Sequence, residues 1–282
     1  MPVAQMHWVG QGLDHELNWA GLNWRLRLDG PSPGLELAGT SRANVLTLDG
    51  LAVRGHSYPW PLERPTLTKA ERLFDRVEAT YQFADRGGLS VRASWSLVPE
   101  RDGVDLEVQV LASSVDSLKA VEILVGTRFD RPTEASIATT PALDELWVEP
   151  RDGESAALSY DGRDSLDILQ KLWTLPIPGG VGAGFAPRVL ETPWLGKDLF
   201  YIEFVHPDDV SRRLERRPSS GSPSSASESG HWTRYSIFGH DLEKGVLLRS
   251  RMRGVWCRGE ITADALATMY RSFRNEPLPL GP

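Results

Sequence analysis

Ser90-Val91-Arg92-Ala93-Ser94-Trp95-Ser96-Leu97-Val98-Pro99-Glu100-Arg101-Asp102-Gly103-Val104-Asp105-Leu106-Glu107-Val108-Gln109-Val110 is the stretch from which the fold of this chain is read. In its first half Val91, Ala93, Trp95 and Leu97 share one side, and in its second half Val104, Leu106, Val108 and Val110 do the same. Alternation with period two belongs to a strand that turns one face to a core and the other to water. Pro99-Glu100-Arg101-Asp102-Gly103 supplies the turn between the halves, so the stretch predicts an antiparallel hairpin.

The same pattern extends in both directions. Trp24 to Leu28, Val45-Leu46-Thr47-Leu48 before the turn signal Asp49-Gly50, Val121 to Phe129, Leu199 to Val205, Tyr235 to Phe238 and Val246 to Trp256 bring the expectation to at least eight strands. Strands broken by Gly, Pro and Asp turns, with few helices between them, predict antiparallel sheets packed face to face. The expected fold is mainly β: one large antiparallel sandwich over residues 1–282, closed by a C-terminal α-helix at about 263–275. Thr262 caps that helix, Leu266, Met269, Tyr270 and Phe273 form its apolar face, and Pro277 stops it. A second helix is expected at Asp164 to Leu175. Between Leu73 and Phe83 the spacing favours a strand. Residues 211–230, ending in a Ser/Pro-rich run, hold almost nothing that can enter a core and predict a flexible insertion.

Composition narrows the function. The chain has 282 residues, 40% of them hydrophobic, with 31 Lys+Arg against 38 Asp+Glu and a formal charge of −7. That length buries a core without covalent staples, and the single cysteine, Cys257, forms no intrachain disulfide. A net-acidic chain with no basic run is a poor partner for nucleic acid. No apolar stretch reaches the length of a membrane span, and the N-terminus lacks a signal-peptide pattern. A cytoplasmic location is the expectation. Gly179-Gly180-Val181-Gly182-Ala183-Gly184 lacks the Lys-Ser/Thr of a phosphate loop, and serine-hydrolase and zincin motifs are missing. Neither a cofactor nor a metal is expected.

The candidates for chemistry are histidines, one carboxylate, tryptophans and an arginine. His56 lies in Gly55-His56-Ser57-Tyr58-Pro59-Trp60-Pro61, His206 precedes Pro207-Asp208-Asp209, and His240 lies in Phe238-Gly239-His240-Asp241-Leu242-Glu243. Imidazole gives or takes a proton near neutral pH, and a neighbouring carboxylate holds its tautomer. The plain alternative is that each histidine bonds a neighbouring backbone group. Trp60 and Trp194 sit beside prolines, where a ring can leave the core and stack on the apolar face of a pyranose, or fold back as a lid. Arg128, at the end of Val121 to Phe129, suits a carboxylate or a pair of hydroxyls.

The strand order, the hairpin Ser90 to Val110 and the late segment Phe238 to Arg249 resemble the large β-sandwich of galactose-mutarotase-like proteins over residues 20–258. The resemblance implies a sugar held on a concave sheet, with a histidine as acid and a glutamate as base in aldose epimerisation. Related sandwiches occur in polysaccharide lyases, glycosidases and non-catalytic domains. The Asn-His-x-Tyr/Phe-Phe-Asn segment that carries the family's histidine is missing here, so no catalytic residue carries over; Glu243 and Glu260 are the late carboxylates that stand for the base. The expectation is a protein acting on a sugar or sugar derivative by proton transfer, with an epimerase-, lyase- or hydrolase-like reaction. His56, His206, His240 and Glu243 are its catalytic candidates, and Trp60, Trp194 and Arg128 its binding candidates. The ligand is a small molecule or an oligosaccharide. A non-catalytic carbohydrate-binding module and a structural or assembly protein are the alternatives.

Overall fold

The computed structural model describes residues 6–39, 43–53, 63–83, 88–113, 118–129, 188–192, 195, 199–206, 209–216, 231–259 and 261–278. In chain order the described strands are β1 (Trp8–Gln11), β2 (Asp14–Trp19), β3 (Leu22–Arg27), β4 (Gly34–Leu37), β5 (Ala43–Val53), β6 (Thr66–Leu73), β7 (Arg76–Gln82) and β8 (Leu89–Val98). They continue with β9 (Gly103–Ala112), β10 (Leu118–Phe129), β11 (Arg188–Glu191), β12 (Leu199–Val205), β13 (Val210–Arg216), β14 (His231–Leu242) and β15 (Leu247–Arg258), and end in helix α1 (Ala263–Asn275). All pairings are antiparallel, in an eight-stranded sheet ordered β1-β2-β3-β4-β5-β10-β14-β13 and a seven-stranded sheet ordered β11-β12-β15-β9-β8-β7-β6. The expected sandwich with its C-terminal helix is the observed architecture.

Alternation explains the packing. In β8 and β9 the residues read as inward, Val91, Ala93, Trp95, Leu97, Val104, Leu106, Val108 and Val110, all enter the core between the sheets, and a short 3-10 turn over Pro99–Arg101 joins the strands. The middle of the core is aromatic. Trp19 and Trp24 of the larger sheet meet Trp256 and Tyr201 of the smaller one, with ring centroids 5.0–6.2 Å apart. Gly254 makes room for this cluster: a Cβ there would lie 2.5 Å from Tyr201 Oη. The Tyr235 hydroxyl of β14 donates to Glu203 Oε2 of β12 at 3.1 Å, a polar tie between the sheets.

Helix α1 covers the other side of the smaller sheet. Thr262 caps it by accepting from the Ala265 N–H, and Leu266, Tyr270 and Phe273 pack on Ile202, Phe204 and Val255. Its C-terminus is fastened by charge. Arg251 donates to the carbonyls of Phe273 (2.9 Å) and Glu276 (3.2 Å), which satisfies helix-end acceptors. Arg253, 2% exposed, holds both oxygens of Asp105 (2.6 and 2.8 Å) and reaches Glu276 Oε2 at 2.6 Å.

Two local expectations differ from the structure, and a third is met over a shorter span. Asp49-Gly50 reads as a turn, but β5 runs through it: Leu124 pairs with Gly50 and Val125 with Leu48, so Asp49 is the extra residue of a bulge. The strand favoured between Leu73 and Phe83 is β7, which starts only at Arg76, because Phe74 and Asp75 form the turn that joins it to β6. The first part of the stretch read as an insertion is strand β13, because Val210 to Arg216 finds a hydrogen-bonding partner in β14 that composition does not reveal. The helix expected at Asp164 to Leu175 and the rest of the insertion lie outside the described residues.

Two outcomes follow. Gly254→Ala lowers unfolding free energy by about 1–3 kcal/mol in urea titrations, the usual cost of overpacking, and the loss shrinks in a Tyr201→Phe background that removes the nearest atom. The second concerns acid. Burial works against the Glu276 charge, but the hydrogen bond and charge of Arg253, with Arg101 and Arg251, together outweigh it and hold the carboxyl below its ordinary value. A depressed native pKa contributes stability that is full above the unfolded pKa and lost as pH falls through the native one. Glu276→Gln therefore has a flatter stability curve than wild type on acidification, measured as denaturation midpoints over a pH series.

Candidate functional site

β10 runs between β5 and β14, and its alternation gives the larger sheet two different faces. Val121, Ile123, Val125 and Phe129 enter the core, whereas Glu122, Leu124, Gly126 and Arg128 alternate with them on the outward face. The outward residues of β5 are set by its bulges. Between Gly126↔Thr47 and Arg128↔Asn44 the strand carries one extra residue, with Leu46 at φ +53°, and Asp49 is the extra residue of the other bulge. Val45, Leu46, Leu48 and Leu51 consequently all reach the core, and Asn44, Thr47 and Asp49 turn outward beside β10.

Thr47, Gly126 and Arg234 lie in one row across β5, β10 and β14. Arg234 extends over Gly126 and donates through Nε to Asp49 Oδ2 at 2.5 Å. Thr47 Oγ1 donates to Asp49 Oδ1 at 2.7 Å, with the Gly126 carbonyl oxygen 3.1 Å away. The crossing needs a glycine: a Cβ at position 126 would run into the Thr233 carbonyl oxygen and lie 3.2 Å from Arg234 Cγ. Asp49 is 8% exposed at its side chain and Arg234 33%, so the carboxylate is buried as an anchor while the guanidinium stays open to solvent. Arg128 is exposed two residues along β10 from Gly126, about 7 Å at strand rise. Its row continues through Asn44, Glu36 and Arg25 to Glu16, and Glu36 and Glu16 pair with Arg27 and Arg25 at 3.1 and 3.3 Å. Four residues from Gly126 in the other direction, Glu122 is fully buried although it shares the outward face.

The predicted residues fall into separate groups. His206 follows β12, half-buried, where its carbonyl accepts from the Asp209 N–H at 3.1 Å and the Asp209 carbonyl accepts from the Phe238 N–H at 2.8 Å. That turn brings His206 to the end of the sandwich that carries His240, two residues beyond Phe238. His240 is exposed opposite Val121, and Glu243 is exposed in the turn before β15, where its carbonyl accepts from the Val246 N–H. Arg128 stands seven residues from Val121 along β10, about 23 Å by strand rise, so these three residues and Arg128 do not converge. His56, Trp60, Trp194 and Glu260 lie outside the described residues.

Sequence reasoning passed over Asp49, Thr47, Arg234 and Glu122. Asp49 was hidden by its turn-like Asp-Gly context, and Arg234 by a partner 185 positions away. Glu203 left a usable signal, because Tyr201, Glu203 and Val205 alternate inward and a carboxylate at a core position demands a partner. Among the described residues no group of three or more His, Cys, Asp or Glu side chains could hold a metal ion, and no helix is long and apolar enough to cross a membrane.

The Arg234 crossing generates its own test. Gly126→Ala breaks the Arg234–Asp49 contact and lowers the thermal midpoint, by several degrees for a cost of about 1–3 kcal/mol, whereas the paired change Arg234→Gln/Asp49→Asn, which leaves no buried charge alone, lowers it less than Arg234→Gln by itself.

Neither a protein-family model nor a curated protein matches the chain. Among solved structures it is similar to galactose 1-epimerase from Lactobacillus acidophilus NCFM, with 11% identity, a TM-score of 0.45, and coverage of 92% of this chain and 100% of that one. It is also similar to HI1317, with 11% identity, a TM-score of 0.43, and coverage of 91% and 97%. The heparan sulfate lyase HepC from Pedobacter heparinus is similar at 7% identity and a TM-score of 0.43; 93% of this chain is covered but only 38% of the lyase, so the chain spans well under half the length of that enzyme.

Proposed function

We propose that this protein binds a sugar or sugar derivative on the outward face of β5, β10 and β14, with Arg128 and Arg234 as the contacting groups and Asp49 as the residue that positions Arg234. The observation that carries this reading is the Arg234 guanidinium, fixed by Asp49 across Gly126 and two residues along the sheet from exposed Arg128. A guanidinium presents paired N–H donors matched to a carboxylate or to neighbouring hydroxyls, and one held in place loses less freedom on binding. Arg234 crosses the sheet at Gly126, two residues along β10 from Arg128, and with Asn44 and Thr47 beside them the two arginines suit a polyhydroxylated ligand carrying an acid group, so sugar acids are the preferred class.

Titration of the protein with uronic acids and with the matching neutral aldoses, followed by ligand-detected NMR, tests it. The expected result is tighter binding of the uronates and about tenfold or greater weakening in Arg128→Ala and in Arg234→Ala, the scale of a charge-assisted hydrogen bond. Unchanged affinity in the Arg128→Ala/Arg234→Ala double variant, or no binding of either class, overturns it.

A second reading, proton transfer by His206 and His240 with Glu243, is supported by the Asp209 turn that ties the segment after β12 to β14. Anomer exchange measured by NMR on free aldoses separates it from binding alone. Exchange that disappears in a His206→Ala/His240→Ala double variant supports catalysis at that end of the sandwich, and wild-type exchange in that variant removes these roles.

A further inference from the structure

One flank of the sandwich carries several features that the sugar reading leaves unused. β1 ends the larger sheet and β6 ends the smaller one, and Arg72 of β6 joins the two edges by donating to the carbonyls of Trp8 (3.2 Å) and Gly10 (2.8 Å). Beside this latch Val9, Leu73 and Phe74 are exposed, and Phe74 is fully so, at φ +39° on the tip of the β6–β7 hairpin. A bulky aromatic side chain in the left-handed region, in contact with water on every side, contributes nothing to the core and is uncommon.

Among the described residues no strand pairs with the free side of β6. Leu73 pairs with Arg76 across a two-residue turn, and pairs that flank such a turn exchange both backbone hydrogen bonds. Leu73, Glu71 and Lys69 are therefore bonded to β7, and Ala70 and Arg72 turn their N–H and C=O groups to the free side. An eight-residue edge of this kind is a template for another strand. A lysine normally guards against such pairing, but here Lys69 is followed two residues later by Glu71, with Ala70 between them.

We infer that β6 pairs with β6 of a second copy of this chain, antiparallel about a two-fold axis at Ala70. In that register Lys69 faces the partner's Glu71 and Glu71 faces the partner's Lys69. Both are non-hydrogen-bonded pairs, in which side chains come closest. Ala70 and the partner's Ala70 exchange backbone bonds, and the small side chain at the axis leaves the approach clear. Leu73 then lies opposite the partner's Leu67, and Phe74, at the hairpin tip, comes beside the partner's Thr66, which withdraws both from water. The interface is isologous, as a closed two-fold dimer requires, and it joins the two smaller sheets edge to edge. The intrachain Lys69–Glu71 ion pair, 3.0 Å and exposed, gives way to cross-strand pairs without leaving a charge unmatched.

Sedimentation equilibrium over a range of protein concentration tests the inference. Wild type forms a dimer of the 31.3 kDa chain. Lys69→Glu and Glu71→Lys each weaken dimerisation by about tenfold, since each sets like charges opposite one another twice. The double exchange Lys69→Glu/Glu71→Lys recovers the dimer, and Phe74→Ser weakens it. All these positions are on the surface, and unchanged thermal midpoints of dilute samples show that folding is intact. A monomer at every concentration, or a double exchange that fails to recover what the single changes lose, overturns the inference.

Discussion

Trp19 and Trp24 come from one sheet and Tyr201 and Trp256 from the other, and their edge-on and tilted contacts set how the two layers meet. Close packing of this kind permits little sliding, because rings of that size cannot move without opening voids or colliding. Gly254 is part of the same constraint: it yields the volume that the Tyr201 ring occupies. Phe129 of β10 meets Tyr201 edge-on at 5.7 Å and the Tyr235 hydroxyl of β14 reaches Glu203, so these two strands are held on their inner faces and hence on their outer ones, since side chains alternate about a common backbone. The register that lines up Thr47, Gly126 and Arg234 on the outside is therefore a consequence of what is packed on the inside.

Arginine–carboxylate pairs serve two ends in this molecule. On the smaller sheet Arg253 is enclosed between Asp105 and Glu276, with Arg251 on the last carbonyls of α1. Those guanidinium groups are almost wholly buried, and their work is to tie a helix to a sheet. On the larger sheet only the carboxylate of Asp49 is buried, and the Arg234 guanidinium retains solvent. A pair enclosed between sheet and helix is out of a ligand's reach, whereas a partly exposed cation anchored from beneath can meet one at low entropic cost. This contrast directs attention to the larger sheet for ligand binding and assigns the charges beneath α1 to stability.

Much of the fold was legible from residue order. Val91, Ala93, Trp95 and Leu97 against Val104, Leu106, Val108 and Val110 form the inner faces of paired strands, and Thr262, Leu266, Tyr270 and Phe273 form a capped helix with one buried face. Where reading and structure part, a long-range pairing overrules a local signal: Asp49-Gly50 has the composition of a turn, yet β10 pairs on both sides of it and makes it a bulge. Val210 to Arg216 lacks clean alternation and becomes a strand because β14 offers it a partner. Of the residues on the proposed ligand face, Arg128 is legible from its position at the end of an alternating run. Its companions Asp49 and Arg234 are not, since neither has a neighbour in the chain that suggests the other.

By itself, the sequence determined the period-two layers, the closing helix and the polar character of the outward strand faces, because these depend on residues within a few positions of one another. Tertiary structure alone decided which outward side chains meet. The pairing of β5, β10 and β14 joins residues 185 positions apart, two bulges choose which β5 side chains face out, and a missing methyl group at Gly126 lets a guanidinium cross the strand. No local pattern encodes a distance that three separate strands must agree on.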